Sequence, residues 1–517
     1  MGKLLIIAYL KTESQIHIGS GEKDGLLDSK LFRSVDERII LPGTSIAGTL
    51  RSRALHLFPS ILNSEERCEV FINSNKVCSC SVCNLFGNIN PNSTIEEFLS
   101  SKILVHDIEI EGNSGLSIRD GVGINRDTKT SNQETSAKFD YETIPVGTDI
   151  VLKIECEDLI PQEEYLLAAL ISEIDYGRIY FGGKSSRGLG RLSINKVEAR
   201  RLPDLQNIEA FIELLDCDDW FDFDNGQVIE PDWYANALEK VKQEYSVDFK
   251  ASFFRISGKL EFADSFLTKD SFWAVASSFD ALPQLALNDG SKTFLSGSSI
   301  RGVIRSQAER IIRSLANYLD QDKIWDAACD PLCEDKDSPA QSCGNKKDGA
   351  RDCLACKLFG SKEKGSRLKI ADALEIKRES IYIQDFLAVD RFTGGGCDTK
   401  KFDSVVTYKP IYNFELILQE PELWEIGLLL LVINDINDGL ISFGSGASKG
   451  FGKAKITSGK ITVMSEDWCD GIDVTSGIFN AKEIGLSEIF SSKDADRAVQ
   501  EFNHKLRQFI LGGRDND

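Results

Sequence analysis

The chain has 517 residues, 42% hydrophobic content, 13 cysteines and a formal net charge of −21. That length exceeds one core and fits two domains of roughly 200 residues each. The acidity argues against a simple nucleic-acid binder, which is ordinarily basic. Cysteines in C-x-x-C spacing in a chain this large point to metal, not to a disulfide framework.

Leu4 to Leu10 is apolar but stops at Lys11, too short to span a bilayer, and reads as a buried first strand. With no export signal, the expected location is cytoplasmic. A Gly-rich turn at Gly19-Ser20-Gly21 follows, then a strand at Arg38 to Leu41. Thr44 or Ser45 is placed to N-cap a helix running through Leu55. Apolar and alternating runs predict strands at Ile103–Val105 and Ile150–Ile154, and a helix over Glu163–Ile174. A Gly-rich loop at 182–190 leads into a strand at Arg191–Ile194. Asp204 to Asp248 is dense in carboxylates, and so is the chain from Glu466. Basic grooves can coexist with such acidic surfaces, because fields decay over about 8 Å at physiological salt.

The same order then returns. Leu41–Arg51 recurs as Leu295–Arg305, Cys80–Gly87 as Cys353–Gly360, and Phe181–Arg191 as Phe443–Lys453, at offsets of 254, 273 and 262 residues. A near-constant offset means two copies of one domain with different loops. The second copy predicts strands at Phe254–Ile256, Thr293–Leu295 and Phe414–Leu418, a helix from Ser298 or Ser299 through Leu315, and an apolar helix over Trp424–Ile433. The expected fold class is α+β: two tandem ferredoxin-like, RRM-like domains at 1–200 and 251–465. An acidic connector at 201–250 and an acidic tail with a C-terminal helix at 466–517 lie outside the repeat.

Each shared motif has a chemistry. G-[TS]-S-I-x-G-x-x-R sets backbone N–H groups, the hydroxyls of Ser45 or Ser299, and Arg51 or Arg305 (with Arg301) at a helix N-terminus, an arrangement that binds phosphate. Gly48 and Gly302 would let a nucleic acid approach closely. The loops carrying Lys184, Arg187 and Lys449 lack P-loop spacing and precede strands; they suit a polyanion backbone. Cys68, Cys78, Cys80 and Cys83 in copy one match a tetrahedral zinc site with no open position. Copy two offers Cys329, Cys333, Cys343, Cys353 and Cys356, so one of the first three is surplus. Two structural Zn²⁺ ions are expected, with an iron–sulfur cluster or free thiols as the alternatives. Cys156, Cys217, Cys397 and Cys469 are scattered, and His56 reads as an ordinary helix residue.

On His17-Ile18-Gly19-Ser20-Gly21, the helix-start motif, the terminal Gly-rich loop and knuckles ending C-x-x-C-x-L-F-G, the chain resembles the RAMP superfamily. It is most similar to backbone subunits of type III CRISPR RNA-guided effector complexes, and the knuckles look most like the type III-D and related fused branches, where two backbone subunits occur in one polypeptide. The resemblance implies RNA-binding domains with His17 in the interface, and a thumb β-hairpin in each. Those hairpins would fall within Ile118–Tyr141, carrying Arg119, Asn125 and Arg126, and within Ile383–Tyr408, carrying Arg391 and Lys400. It implies an endoribonuclease whose loop aspartate cuts target RNA with a divalent cation such as Mg²⁺ or Mn²⁺. Asp28 matches that position. Asp280 is its counterpart if copy two has two extra turn residues, with Asp264 and Asp270 as rivals, so copy two would cut weakly or not at all. The implied partners are guide CRISPR RNA, complementary target RNA and other type III subunits: a large polymerase-like subunit, other backbone subunits and small subunits. No membrane is involved. A non-catalytic guide-binding scaffold and a guide-precursor processing endoribonuclease using His17 as base are the alternatives.

Overall fold

The computed structural model describes residues 3–21, 27–61, 68, 78, 80–88, 99–110, 117–126, 138–202, 208, 212, 220–222, 228–230, 232–244, 252–270, 278–286, 289–333, 335, 337–345 and 352–511. Cys217 and most of the acidic connector lie outside them. So do 22–26, 127–137 and the last six residues.

The first repeat is built on β1 (Lys3–Thr12), α1 (Gly43–Ile61), β2 (Ile103–Val105), a hairpin of β3 (Ser117–Val122) and β4 (Lys138–Thr143), then β5 (Asp149–Glu157), α2 (Pro161–Asp175) and β6 (Leu192–Arg201). Its sheet runs β2-β5-β1-β6, with every pair antiparallel. That is the ferredoxin-like order. Helix α3 (Trp233–Glu244) follows in the connector and packs on α2 and β6.

The second repeat uses β7 (Phe253–Phe262), α4 (Gly297–Leu319), β8 (Leu368–Ile370), a hairpin of β9 (Ser380–Val389) and β10 (Gly396–Tyr408), then β11 (Ile411–Gln419), α5 (Leu423–Asn437) and β12 (Ala454–Met464). Here the order is β8-β11-β7-β12. The registers correspond: Ile7 opposes Lys153 and Glu198, while Ser257 opposes Glu415 and Lys460. The fold is therefore α+β, two ferredoxin-like units in tandem.

Beyond the repeat, β13 (Ile472–Ser476) and β14 (Phe479–Gly485) extend the second sheet past β12. Helix α6 (Lys493–Leu511) lays Ala498, Phe502 and Leu506 against α5. Gly427 of α5 is where the two helices touch: a Cβ there would stand 2.0 Å from the Ala498 carbonyl oxygen. Helix α5 is buried nearly all round, which is why its run Leu428–Leu431 is apolar without helical alternation. Among the described residues no helix is long and apolar enough to cross a membrane.

The two cores meet. Phe253, Met464 and Phe479, from the second half of the chain, pack into the cluster around Ile6, Leu152 and Leu170 of the first. Arg119 of β3 makes a bidentate pair with Asp372 at 2.8 and 3.0 Å, both buried, and Arg126 reaches the buried Glu309 of α4 at 2.9 Å. The Gly-rich loop of repeat one nests against β8, and an added Cβ on Gly188 would sit 2.4 Å from the Ile370 carbonyl oxygen.

Candidate nucleic-acid interface and metal centres

The helix starts differ from expectation. Helix α1 begins at Gly43, and α4 at Gly297 with Ser296 as its N-cap, so Thr44, Ser45, Ser298 and Ser299 lie inside the first turn. The leading N–H of each is taken by a carboxylate at 2.7 Å, Gly43 by Asp107 and Gly297 by Asp372. Ser45 is exposed and Ser299 half-buried. Gly48 and Gly302 face open space, whereas a Cβ on Gly43 would meet the Val105 carbonyl oxygen at 2.0 Å. The glycine the motif requires is the first one, where the helix start abuts a strand.

Arg51 and Arg305 do not sit at the helix start. Their guanidinium groups point to knuckle sulfurs, Arg51 to Cys83 Sγ at 3.7 Å and Arg305 to Cys356 Sγ at 3.5 Å. Cys68, Cys78, Cys80 and Cys83 bring their sulfurs within 4.8 Å of one another, and so do Cys329, Cys343, Cys353 and Cys356. Cys333 is the surplus thiol of copy two: it stands outside the cluster, with its sulfur near the Asp335 carbonyl. Sulfur separations of 3.4 Å (Cys68–Cys83), 3.5 Å (Cys329–Cys356) and 3.7 Å (Cys329–Cys353) are close to the spacing of about 3.8 Å that tetrahedral Zn–S bonds of about 2.3 Å require. The Cys356 N–H donates to Cys353 Sγ at 3.3 Å, the knuckle geometry that favours thiolate. Both clusters could hold a structural metal ion, and an Arg at each offsets its negative charge.

The loop aspartates are placed alike in both repeats. The Asp28 N–H donates to the Asp140 carbonyl, and Asp28 Oδ2 accepts from the Asp140 N–H, both at 3.1 Å. Asp280 Oδ2 accepts from the Asp403 N–H and the Asp280 N–H donates to Asp403 Oδ1, both at 3.0 Å. One residue on, the Ser29 carbonyl accepts from the Glu142 N–H and the Ala281 carbonyl from the Val405 N–H. Asp28 and Asp280 are therefore structural counterparts, each exposed and tied to the second strand of its hairpin. Asp264 caps the Ser265 N–H at 2.8 Å, and Asp270 lies in a short ladder opposite Leu282, so neither occupies that place.

Beside each aspartate lies a feature that motif reading does not single out. Phe139 and Tyr141 stack in β4 with Arg187 and Lys184 over their rings, at 4.8 and 4.2 Å from the centroids. In repeat two, Phe386 and Phe402 stack at 5.0 Å, and Lys449 lies over both at 3.8 and 4.2 Å. A pocket there is lined by Asp280, Lys449, Phe386 and Phe402. The signal available in the sequence is the alternation Phe139-x-Tyr141, with Phe402 as its counterpart in β10.

His17 is buried in the first repeat only. Its Nδ1 lies 2.7 Å from the Glu142 carbonyl oxygen and its Nε2 3.1 Å from Ser29 Oγ. Burial holds its pKa below the usual imidazole value, with the Glu142 carbonyl opposing. Leu267 and Ala281 occupy the corresponding places in repeat two: the Leu267 carbonyl accepts from the Ser445 N–H as that of His17 does from Gly183.

A third group gathers where the repeats meet. Lys369 of the β8 strand donates to Ser185 Oγ at 2.8 Å, and burial beside Arg301 pushes its pKa down to about 8. Arg301 donates to the Phe359 carbonyl and to Ser366 Oγ; burial, then Arg305 and Arg187, pushes it down to about 9. Arg119 and Arg126, expected at RNA, are instead engaged in the ion pairs between the repeats, while Arg391 at the other hairpin tip is exposed.

The family model described as RAMP superfamily matches residues 9–193 and 254–455. No curated protein matches the chain.

Proposed function

The chain belongs to the RAMP superfamily, and from that premise we propose that it is a tandem backbone subunit of a type III CRISPR effector complex, of the type III-D kind. In this reading it holds guide RNA sequence-independently along both repeats and cuts the paired target RNA at two places. Its units are 1–200 and 251–465, with 201–250 and 466–517 as additions. Its partners are the guide, the target and the remaining subunits of the complex.

One observation carries the reading: a loop aspartate, a stacked aromatic pair and a loop cation recur together in both repeats. Phe139, Phe386 and Phe402 keep exposed ring area that suits unstacked bases, while Tyr141 is buried beside Phe139 as support, and Lys or Arg in a Gly-rich loop suits the phosphates. Base pairing with the guide supplies sequence choice, so the protein reads only backbone and shape. The hydrogen bonds from the hairpin fix one carboxylate oxygen, Oδ2, and leave Oδ1 for the substrate. Oδ1 takes the proton of a target 2′-hydroxyl as that oxygen attacks the adjacent phosphorus in line; a 2′,3′-cyclic phosphate forms, the bond from phosphorus to the 5′ oxygen breaks, and the departing 5′ oxygen takes a proton from water. A divalent cation such as Mg²⁺ or Mn²⁺ bound there would neutralise charge developing on the phosphate. The thiolate clusters hold structural Zn²⁺.

The matched geometry of Asp28 and Asp280 favours two active repeats. Mapping of target cleavage by the assembled complex should show one cut missing in Asp28→Ala and a different one missing in Asp280→Ala, with guide content unchanged. Survival of both cuts in the double variant would sink the aspartate assignment, and a complex purified without RNA would sink the reading as a whole.

A further inference from the structure

The joint between the repeats shows how one such domain receives another. The outer face of the second sheet receives the first repeat. Arg178 lies 4.1 Å over the Phe253 ring, Arg191 pairs with Glu415, and Arg255 holds Glu415 from the neighbouring strand. Repetition gives the first repeat a corresponding face, on Leu5, Ile7 and Tyr9 of β1.

That face is not built to receive anything similar. Lys153 stands where Glu415 stands, by the strand register of both sheets. The residue corresponding to Arg191 is Lys453, since each follows the last glycine of its loop, Gly190 and Gly452, whose N–H groups donate to Gln15 and Ser265. A second copy docking head to tail would therefore set Lys453 against Lys153, where the internal joint sets Arg191 against Glu415. The face is also covered. Phe221 of the connector is 2% exposed and packs with Leu5 and Ile7, with Trp220 beside it. Its carbonyl accepts from Arg200 at 2.7 Å, and its ring meets His106 at 5.3 Å and the Lys153 ammonium at 5.1 Å. Lys3 lies 3.9 Å over the Trp220 ring.

At the far end the opposite holds. Lys453 is exposed, Leu440, in the place of Arg178, is 64% exposed, and a Cβ on Gly450 would meet nothing, whereas Gly188 is packed tight in the internal joint. We propose that Trp220 and Phe221 close the first repeat against a second copy, and that the open end of the second repeat accepts a different chain of the same fold that carries a carboxylate opposite Lys453. A heterologous contact that recurs makes an open row. Here a like-charge pair and an aromatic cap stop the chain from making that row out of itself. The inference rests on the joint alone and holds whether or not either aspartate cuts RNA.

The test supplies such a partner from the protein itself. The fourfold variant Lys153→Glu/Trp220→Ser/Phe221→Ser/Lys453→Glu has an opened, acidic receiving face and a disabled outgoing one. In sedimentation velocity at micromolar concentrations, full-length wild type alone and variant alone should each stay monomeric, and their mixture should sediment as a one-to-one dimer. Association of the wild type with itself overturns the proposal, as does a mixture that stays monomeric while the variant retains its cooperative melting. Should the variant not fold, Lys453→Glu alone removes the charge clash but keeps the cap. It is expected to remain monomeric, and its self-association overturns the closing role of Trp220 and Phe221.

Discussion

Lys369 is a buried cation at the joint, held by Ser185 beside Arg301. Its pKa near 8 means that the folded protein binds its proton less well than the unfolded chain, where the value is 10.5. Between those values the unfolded state holds more protons, so stability rises with pH across that window and the full penalty applies below it. A phosphate beside Lys369 and Arg301 reverses the preference, because the anion favours the charged amine. RNA affinity should therefore fall several-fold from pH 7 to pH 9 in an anisotropy titration at fixed salt. The Lys369→Met variant should bind more weakly at pH 7 and lose most of that pH dependence. His17 shows the same effect of burial on a second base. Held neutral by burial and seated on the Glu142 carbonyl, it orients Ser29 next to Asp28. Asn at position 17 is thus expected to slow the first cut and leave the second, at Asp280, unchanged when the two cleavage products are quantified separately.

At the scale of elements, the knuckles are part of the core. Leu354, Leu358 and Phe359 of the short helix after Cys353 are all buried against α4 and β8. Elemental analysis should find two zinc ions per chain, and Cys356→Ser should release one of them. Loss of that metal should cost the second repeat more than the first, read as early melting of one of two transitions, because metal-binding energy is folding energy in such sites. Much of this level was legible in the sequence. Apolar patterning located α2 and α5 to within about four residues at each end, and C-x-x-C spacing located both clusters. The parts that escaped are those set by tertiary contact. Nothing local distinguishes Cys333 from Cys329; only the chain path does. Arg51 and Arg305 stand at helical spacing from a phosphate-binding motif, yet α1 and α4 turn them toward sulfur. The stacked aromatics come from one strand in repeat one but from both hairpin strands in repeat two, so no linear pattern joins them.

At the scale of the whole molecule, charge is sorted by place, with buried ion pairs joining the two repeats. The net charge of −21 argues against nucleic acid, yet the cations on which the reading depends cluster at the loops and at the joint, where composition averages them away. Arg119 is the clearest case: the resemblance places it at RNA, and the fold places it across the joint. With Asp372 it forms a pair whose side chains are only 5% and 8% exposed. Removing one partner of such a pair strands the other without compensation and costs about 3–5 kcal/mol. Asp372 also caps the first N–H of α4, so Asp372→Asn should loosen the joint and the helix start together, whereas Arg119→Met should loosen the joint alone. The exposed Lys401–Asp385 pair on the second hairpin is the control, since breaking a surface pair moves stability by about 0–1 kcal/mol. Hydrogen exchange followed by peptide should therefore show faster exchange in β3 and β8 for Arg119→Met with β1 and β7 unaffected, and no change for Lys401→Met. If the buried pair holds the two repeats in register, the same Arg119→Met complex should also lose the fixed spacing between the two target cuts. A variant that exchanges faster at β3 and β8 yet keeps that spacing would show instead that the guide RNA, and not the protein joint, sets the distance between the aspartates.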